Sequence, residues 1–185
     1  MRLEDEQYEE IKRTVIDTFS LYGIRCIPIS AFEMATKMGI KVIPYSALSE
    51  EKRSAAMRES KDGFSIGSSQ SQEWMIFYND ACESYGRINQ TIMHEIGHYA
   101  MGHIKDGEEE ESEAKFFAKY ALAPPPLIHT FIEHITPDSI RDVFDLSNQA
   151  AKMLIGIIEV GCIMVETVIQ ITKRKYLSYL RLNVK

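Results

Sequence analysis

Apolar and polar residues follow two kinds of pattern along the chain. Where apolar side chains recur three and four positions apart, the pattern predicts amphipathic helices, as for Ile11, Val15 and Phe19 near the start. Shorter runs rich in β-branched and aromatic residues predict strands. The predicted helices cover residues 6–21, 31–38, 49–60, 86–101, 108–120 and 127–134, with two more beginning near residues 137 and 148, and the predicted strands cover residues 41–45, 62–67 and 74–79.

An HExxH motif, formed by His94, Glu95 and His98, lies within the predicted helix 86–101. Two histidines four positions apart project from one face of a helix, so both imidazoles can bind one zinc ion. Glu95 follows the first histidine and would contact a metal-bound water without being a ligand. Because zinc lowers the pKa of that water towards about 7, the motif predicts hydrolysis with Glu95 as general base. The apolar neighbours of the motif argue against two surface histidines on an ordinary helix.

A catalytic zinc site needs a third protein ligand and an open position for water. The predicted helix 108–120 begins with a cluster of glutamates. Glu113 lies one turn before Phe117 on the apolar stripe, so we expect it to face inward and to be the third ligand, with Glu110 as the alternative. The glutamates of segment 108–111 otherwise suit a solvated helix start, where negative charge is favourable.

Other polar side chains near the motif are candidates for supporting roles. His103 does not have the spacing of a third histidine ligand in metzincins. With Gly102 predicted to end the helix, we expect His103 to contact a ligand or to cap the helix. Candidates for stabilising an oxyanion are Tyr99, His103, Tyr120 and His129, and the sequence does not choose among them.

These elements predict an α+β fold of the zincin type, with a small sheet of about three strands packed on the HExxH helix. We expect a catalytic domain over residues 1–125 and a helical C-terminal subdomain over 126–185, because a run of three prolines at 124–126 should leave the catalytic unit as an extended connector. A strand edge could hold an extended substrate peptide, and the strand 74–78 is the predicted one.

Two segments resemble the ImmA/IrrE family of zinc-dependent peptidases. They are TIMHEIGHYAMGH at residues 91–103 and ESEAKFFAKYALAP at 111–124. The family pairs an HExxH helix, often ending in Gly-His, with a Glu-Ala-x-x-Phe-Ala helix that ends near a proline. The resemblance covers roughly residues 20–158, and it departs at 121–124, where Ala-Leu-Ala-Pro stands in place of the usual Leu-Leu-Met-Pro.

The resemblance implies that His94, His98 and Glu113 bind zinc and that Glu95 is the general base. It also implies a protein substrate, namely a helix-turn-helix transcriptional repressor of a phage, mobile element or stress response, cut at a defined bond. The alternatives are a zinc-containing, antitoxin-like protein that binds a regulator without cutting it, and a partner protein with a vestigial site.

The composition of the chain bears on its binding partners and on its cellular compartment. A net charge of −6 over 185 residues argues against direct nucleic-acid binding, which needs a cationic surface. Cys26, Cys82 and Cys162 are scattered, as is typical of a reducing compartment. The acidic start is unlike a signal peptide, so we expect a cytoplasmic protein.

The C-terminal part presents two patterns with competing interpretations. The predicted helices after residue 137 imitate a helix-turn-helix, but the second offers only Gln149 and Lys152 for DNA, so we expect it to pack or to bind a partner. Segment 153–171 is apolar, yet Glu159 and Glu166 would each cost roughly 2.5–3.5 kcal/mol in a bilayer. We therefore expect no membrane span there, and homo-oligomerisation or substrate selection instead.

Overall fold

The computed structural model describes residues 2–67, 73–104 and 107–161. Within these ranges the fold is α+β, as predicted, with eight α-helices, a short 3-10 helix and three strands. The helices are α1 (Asp5–Tyr22), α2 (Ala31–Met38), α3 (Glu50–Glu59), α4 (Tyr85–Met101), α5 (Glu108–Leu122), α6 (Pro125–Phe131), α7 (Pro137–Phe144) and α8 (Asn148–Gly161); the strands are β1 (Lys41–Pro44), β2 (Gly63–Gly67) and β3 (Trp74–Tyr78), and the 3-10 helix is Tyr45–Ala47. The predictions for Cys162 and for the tail from 162 to 175 lie outside the described residues.

Helix ends follow the capping residues of the sequence. The Ser30 side chain accepts a hydrogen bond from the Glu33 backbone N–H at 3.3 Å and begins α2, and Gly39 ends it in the left-handed conformation. Gly102 ends α4 in the same way, with φ of 72°. The predicted bounds of α2 are therefore confirmed, and α4 begins one residue before its predicted start.

The three strands form one mixed sheet in the order β1-β3-β2. β1 pairs parallel with β3, and the chain between these two strands forms α3 and β2. β2 pairs antiparallel with β3. The prediction that strand 74–78 offers a free edge is wrong, because β3 is the central strand and is paired on both sides. Within the described residues, β2 is paired only with β3, and this strand lies next to the HExxH helix.

The proline run does not form the extended connector that the sequence predicted. Pro124 is the N-cap of α6, and Pro125 and Pro126 occupy its first turn. A first-turn residue needs no backbone N–H for the helix, so proline is tolerated there.

One apolar core extends across this segment. It includes Ile11 and Val15 of α1, Ile92 of α4, and Ile128 and Phe144 from beyond the prolines, all fully buried. Residues on both sides of position 125 thus stabilise each other. Among the helices in the described ranges, none combines the length and apolar content needed to cross a bilayer.

Candidate active site

The HExxH motif lies on α4 where this helix packs closely against α5. Gly97 faces Ala114 and Phe117 of α5, and a Cβ at position 97 would lie 3.2 Å from the Phe117 Cβ. The absence of a side chain at Gly97 therefore lets the two helices approach. This contact sets the distance between the histidines of α4 and the carboxylates at the start of α5.

Three side chains from the two helices converge at this point. The Nε2 atoms of His94 and His98 are 3.2 Å apart, and the Glu111 Oε1 lies 3.6 Å from the first and 3.3 Å from the second. These donor atoms all lie within 4.8 Å of one another, so the three residues could hold a metal ion. His94 and His98 are largely buried, whereas the Glu111 side chain is 41% exposed.

The local electrostatics favour the protonation states that a metal requires at His94 and Glu111. Burial and the neighbouring His98 lower the pKa of His94 to about 4, so the imidazole is neutral at physiological pH. Burial tends to raise the pKa of Glu111, but the Lys115 hydrogen bond and the nearby histidines outweigh it, and the pKa is lowered. The Lys115 ammonium lies 3.1 Å from the Glu111 Oε2, which leaves Oε1 directed at the histidines.

The expected ligand Glu113 is not a member of this group; Glu111 stands in its place. Two residues along a helix turn a side chain by about 200°, so Glu111 and Glu113 point in different directions. The Glu113 carboxylate instead contacts the His103 Nε2 at 2.9 Å and the Gln7 Nε2 at 3.2 Å. The alternative ligand, Glu110, folds over the backbone of Gly107.

Glu95 is buried beside the histidines, with 7% of its surface exposed. The Ser65 hydroxyl on β2 donates a hydrogen bond of 2.6 Å to the Glu95 Oε2. Sequence reasoning missed Ser65. The available signal was a small polar residue between Phe64 and Ile66, in the strand that runs towards the HExxH helix.

The structure places the four remaining candidate residues at different positions relative to the HExxH motif. Tyr99 lines the cleft beside the motif and packs against Trp74, with ring centroids 5.5 Å apart. Tyr120 is buried near Phe116, where burial and the Glu9 charge raise its pKa, and it does not line the cleft. His129 is exposed on α6. His103 contacts the His98 Nδ1 through its own Nδ1 at 3.0 Å.

The motif forms the floor of an open cleft of about 1790 Å³. Its walls come from β2, from α5 and from the start of α8, and they carry half-exposed apolar side chains, including Ile66 and Met153.

Residues 35–154, more than half of the chain, match the family model Peptidase_M78, described as the IrrE N-terminal-like domain. The chain belongs to this peptidase family. The ImmA/IrrE resemblance is thus confirmed, and so is the assignment to the peptidases. A search of curated proteins finds no match to the chain.

The Peptidase_M78 match contains every residue of the cleft floor described above, from Ser65 to Glu111. It also extends past the prolines into α8, the helix that forms the far wall. Helix α1, including Gln7, lies outside the match.

Proposed function

We propose that the protein is a zinc-dependent endopeptidase with a zincin-like catalytic unit, and that it cuts a regulatory protein at a defined bond. The observation that supports this most directly is the convergence of His94, His98 and Glu111 beside the buried Glu95. In this proposal the helix pair α7 and α8 packs on the catalytic unit and contacts the substrate or a second copy of the chain.

The spacing of the three donor atoms fits a zinc ion. A tetrahedral ion with bonds of roughly 2.0–2.1 Å holds its ligands about 3.3 Å apart. The observed separations among the His94 Nε2, the His98 Nε2 and the Glu111 Oε1 are 3.2, 3.3 and 3.6 Å. Two imidazoles and one carboxylate are also a donor set that catalytic zinc sites use. Zinc is therefore the metal that we propose for His94, His98 and Glu111.

When bound, zinc supplies a Lewis acid that polarises the scissile carbonyl and acidifies a water molecule. The residues of the chain then transfer the protons. Glu95 accepts the proton of the attacking water and returns it to the leaving amine. Ser65 holds the Glu95 carboxylate in one orientation through the 2.6 Å hydrogen bond. Tyr99 stays the candidate donor for the oxyanion, since Tyr120 lies outside the cleft and His103 contacts His98 and Glu113.

The cleft suits a polypeptide substrate. Small-molecule pockets enclose roughly 300–1,000 Å³, and this cleft is larger, at about 1790 Å³. β2 lines it and, in the described part of the chain, pairs with β3 alone. An extended peptide could add to β2 through backbone hydrogen bonds, with its side chains directed towards Ile66 and Met153.

A helix-turn-helix repressor is the substrate class that we propose, on the ground of the family resemblance in the paired motifs. The test compares extracts of a bacterial host expressing wild type, Glu95→Gln or Glu59→Gln. Glu59 lines the cleft away from the floor and provides a matched control for loss of a carboxylate. New protein N-termini should appear with wild type and with Glu59→Gln but not with Glu95→Gln, and they should concentrate in a repressor.

Equal cleavage by Glu95→Gln would contradict the assigned general base. An absence of new N-termini with wild type would contradict the peptidase function and favour a protein that binds a regulator without cutting it.

The ligand assignment has a separate test in purified protein. Removing a ligand from a three-ligand site should be more damaging than removing a group that contacts a ligand. We therefore expect Glu111→Ala to abolish stoichiometric zinc binding and Glu113→Ala to weaken it, as followed by competition with a chromogenic chelator. The reverse order would return the third-ligand role to Glu113.

A further inference from the structure

A chain of hydrogen bonds links the candidate metal site to the first turn of α1. It runs from Gln7 to Glu113, from Glu113 to His103 and from His103 to His98, and we name these four residues the relay. The contacts are 3.2 Å between the Gln7 Nε2 and the Glu113 Oε1, 2.9 Å between the Glu113 Oε2 and the His103 Nε2, and 3.0 Å between the Nδ1 atoms of His103 and His98.

The direction of the hydrogen bonds in the relay follows from the groups that can only donate or only accept. The Glu4 backbone N–H donates to the Gln7 Oε1 at 2.9 Å, and a backbone N–H can only donate. This fixes the orientation of the Gln7 amide, so that its Nε2 faces carboxylates. That nitrogen donates to Glu109 and Glu113, both of which accept.

The same logic carries through the two histidines. The Glu113 carboxylate only accepts, so the His103 Nε2 bears a proton and donates it. In a neutral imidazole the other nitrogen is then an acceptor, so the His103 Nδ1 receives a hydrogen bond from the His98 Nδ1. His98 thus carries its proton on Nδ1 and presents a lone pair on Nε2. That Nε2 is the atom that faces His94 and Glu111.

We propose that Glu113 and His103 are positioning residues that select the metal-binding tautomer of His98, and that Gln7 holds the Glu113 carboxylate in place. The functional role of this tautomer rests on the zinc site proposed above. The assignment of the tautomer rests only on the hydrogen bonds of the relay. The side chains of His103 and Glu113 are only 8% and 16% exposed, so water does not readily replace either of them. Groups that orient a ligating histidine typically change metal affinity 10- to 100-fold when they are removed.

The decisive variant is Glu113→Gln. A glutamine side chain has the shape of glutamate, but an NH₂ group that donates replaces one carboxylate oxygen that accepts. Since Gln7 donates from one side, the new amide should present its oxygen to Gln7 and its NH₂ group to His103. The His103 Nε2 then accepts, its Nδ1 donates, and the proton of His98 is forced onto Nε2, where it competes with the metal. We expect zinc affinity to fall about 10- to 100-fold in chelator competition.

A second substitution should restore the original direction. In the double variant Gln7→Ala, Glu113→Gln, no Gln7 amide remains to hold the new oxygen, and the NH₂ group can turn to Glu109. The oxygen then faces His103 again, and zinc affinity should recover towards the wild-type value. Such rescue is not expected if Glu113 is itself a ligand. Glu110→Gln is the matched control on the same helix and should bind zinc as wild type does.

A spectroscopic measurement on the metal-free protein tests the tautomer directly. Long-range ¹H–¹⁵N correlation spectra should show the His98 proton on Nδ1 in wild type and on Nε2 in Glu113→Gln. A proton on Nε2 in wild type would overturn the proposal, as would unchanged zinc affinity in Glu113→Gln. These outcomes leave the peptidase proposal intact, because that proposal fails only if wild type binds no zinc or cuts no protein.

Discussion

Gly97→Ala tests whether the contact between α4 and α5 sets the geometry of the proposed zinc ligands. The new methyl group would lie 3.2 Å from the Cβ and Cδ1 of Phe117 and 3.3 Å from the Cα of Ala114. Carbon atoms normally pack about 3.5–4.0 Å apart, so α5 must move away by roughly 0.3–0.5 Å. Because one of the contacted atoms belongs to the backbone, a side-chain rotation cannot relieve the contact.

The expected change in the free energy of unfolding is the difference between two opposing effects. Alanine is better than glycine in a helix interior by about 0.8–1.0 kcal/mol. Overpacking of a close contact costs about 1–3 kcal/mol. We therefore expect the free energy of unfolding to fall by up to about 2 kcal/mol in urea titrations. Glu111 lies one turn before Ala114 and should move with α5, so zinc affinity should fall about tenfold if roughly 1.4 kcal/mol of strain reaches the site.

The matched control is Gly86→Ala on the same helix. Its methyl group would lie 2.7 Å from the backbone nitrogen of Ser147, far along α4 from the motif. This variant should lose stability but keep its zinc affinity. Wild-type stability and affinity in Gly97→Ala would refute the reasoning, and an equal loss of affinity in Gly86→Ala would show a general effect of instability.

Four further predictions address other parts of the molecule. Ser65→Ala should lower kcat about 10- to 100-fold with unchanged zinc affinity, since a hydrogen bond to the charged Glu95 is worth about 1.5–3 kcal/mol; a wild-type kcat would exclude this role. Asn89→Leu should lower the free energy of unfolding by about 2–4 kcal/mol in urea, because two buried backbone groups lose their partner; a loss below about 1 kcal/mol would contradict this. Free zinc at 100 times its Kd should stabilise wild type by about 2.7 kcal/mol in thermal unfolding but leave Glu111→Ala unchanged; equal stabilisation would place the ion elsewhere. Tyr120→Phe should leave turnover unchanged, and a slower reaction would require a role outside the cleft.

The local features of the fold were predictable because each is determined by a few neighbouring residues. A capping serine and a glycine at φ near 70° define the ends of α2 and α4 wherever those helices pack. The order of the strands was not predictable in the same way. It depends on the parallel pairing of β1 with β3, which are distant in sequence, and the sequence did not show that this pairing covers the edge expected for strand 74–78.

The carboxylate of the candidate metal site shows which features of a site the sequence does not predict. Glu113 was predicted because it borders the apolar stripe of α5, and it is indeed mostly buried, with 16% of its side chain exposed. Burial, however, does not specify a partner. A catalytic metal must be open to substrate, so a carboxylate ligand can lie at the edge of a cleft, which is where the 41% exposed Glu111 of the candidate site lies. The periodicity of apolar residues identifies the core and not the rim of a cleft.

The position of the prolines has a consequence for where the chain tolerates change. From the sequence, segment 124–126 looks like a junction at which insertions or a cut would be harmless. Pro124 and Pro126 are in fact buried, and the helix that they begin contributes Leu127 and Ile128 to the core. Tolerance of insertion follows burial and not residue type. The exposed turn at residues 133–134 is the better place to accept added sequence, and a gene fragment ending at position 125 would encode an incomplete core.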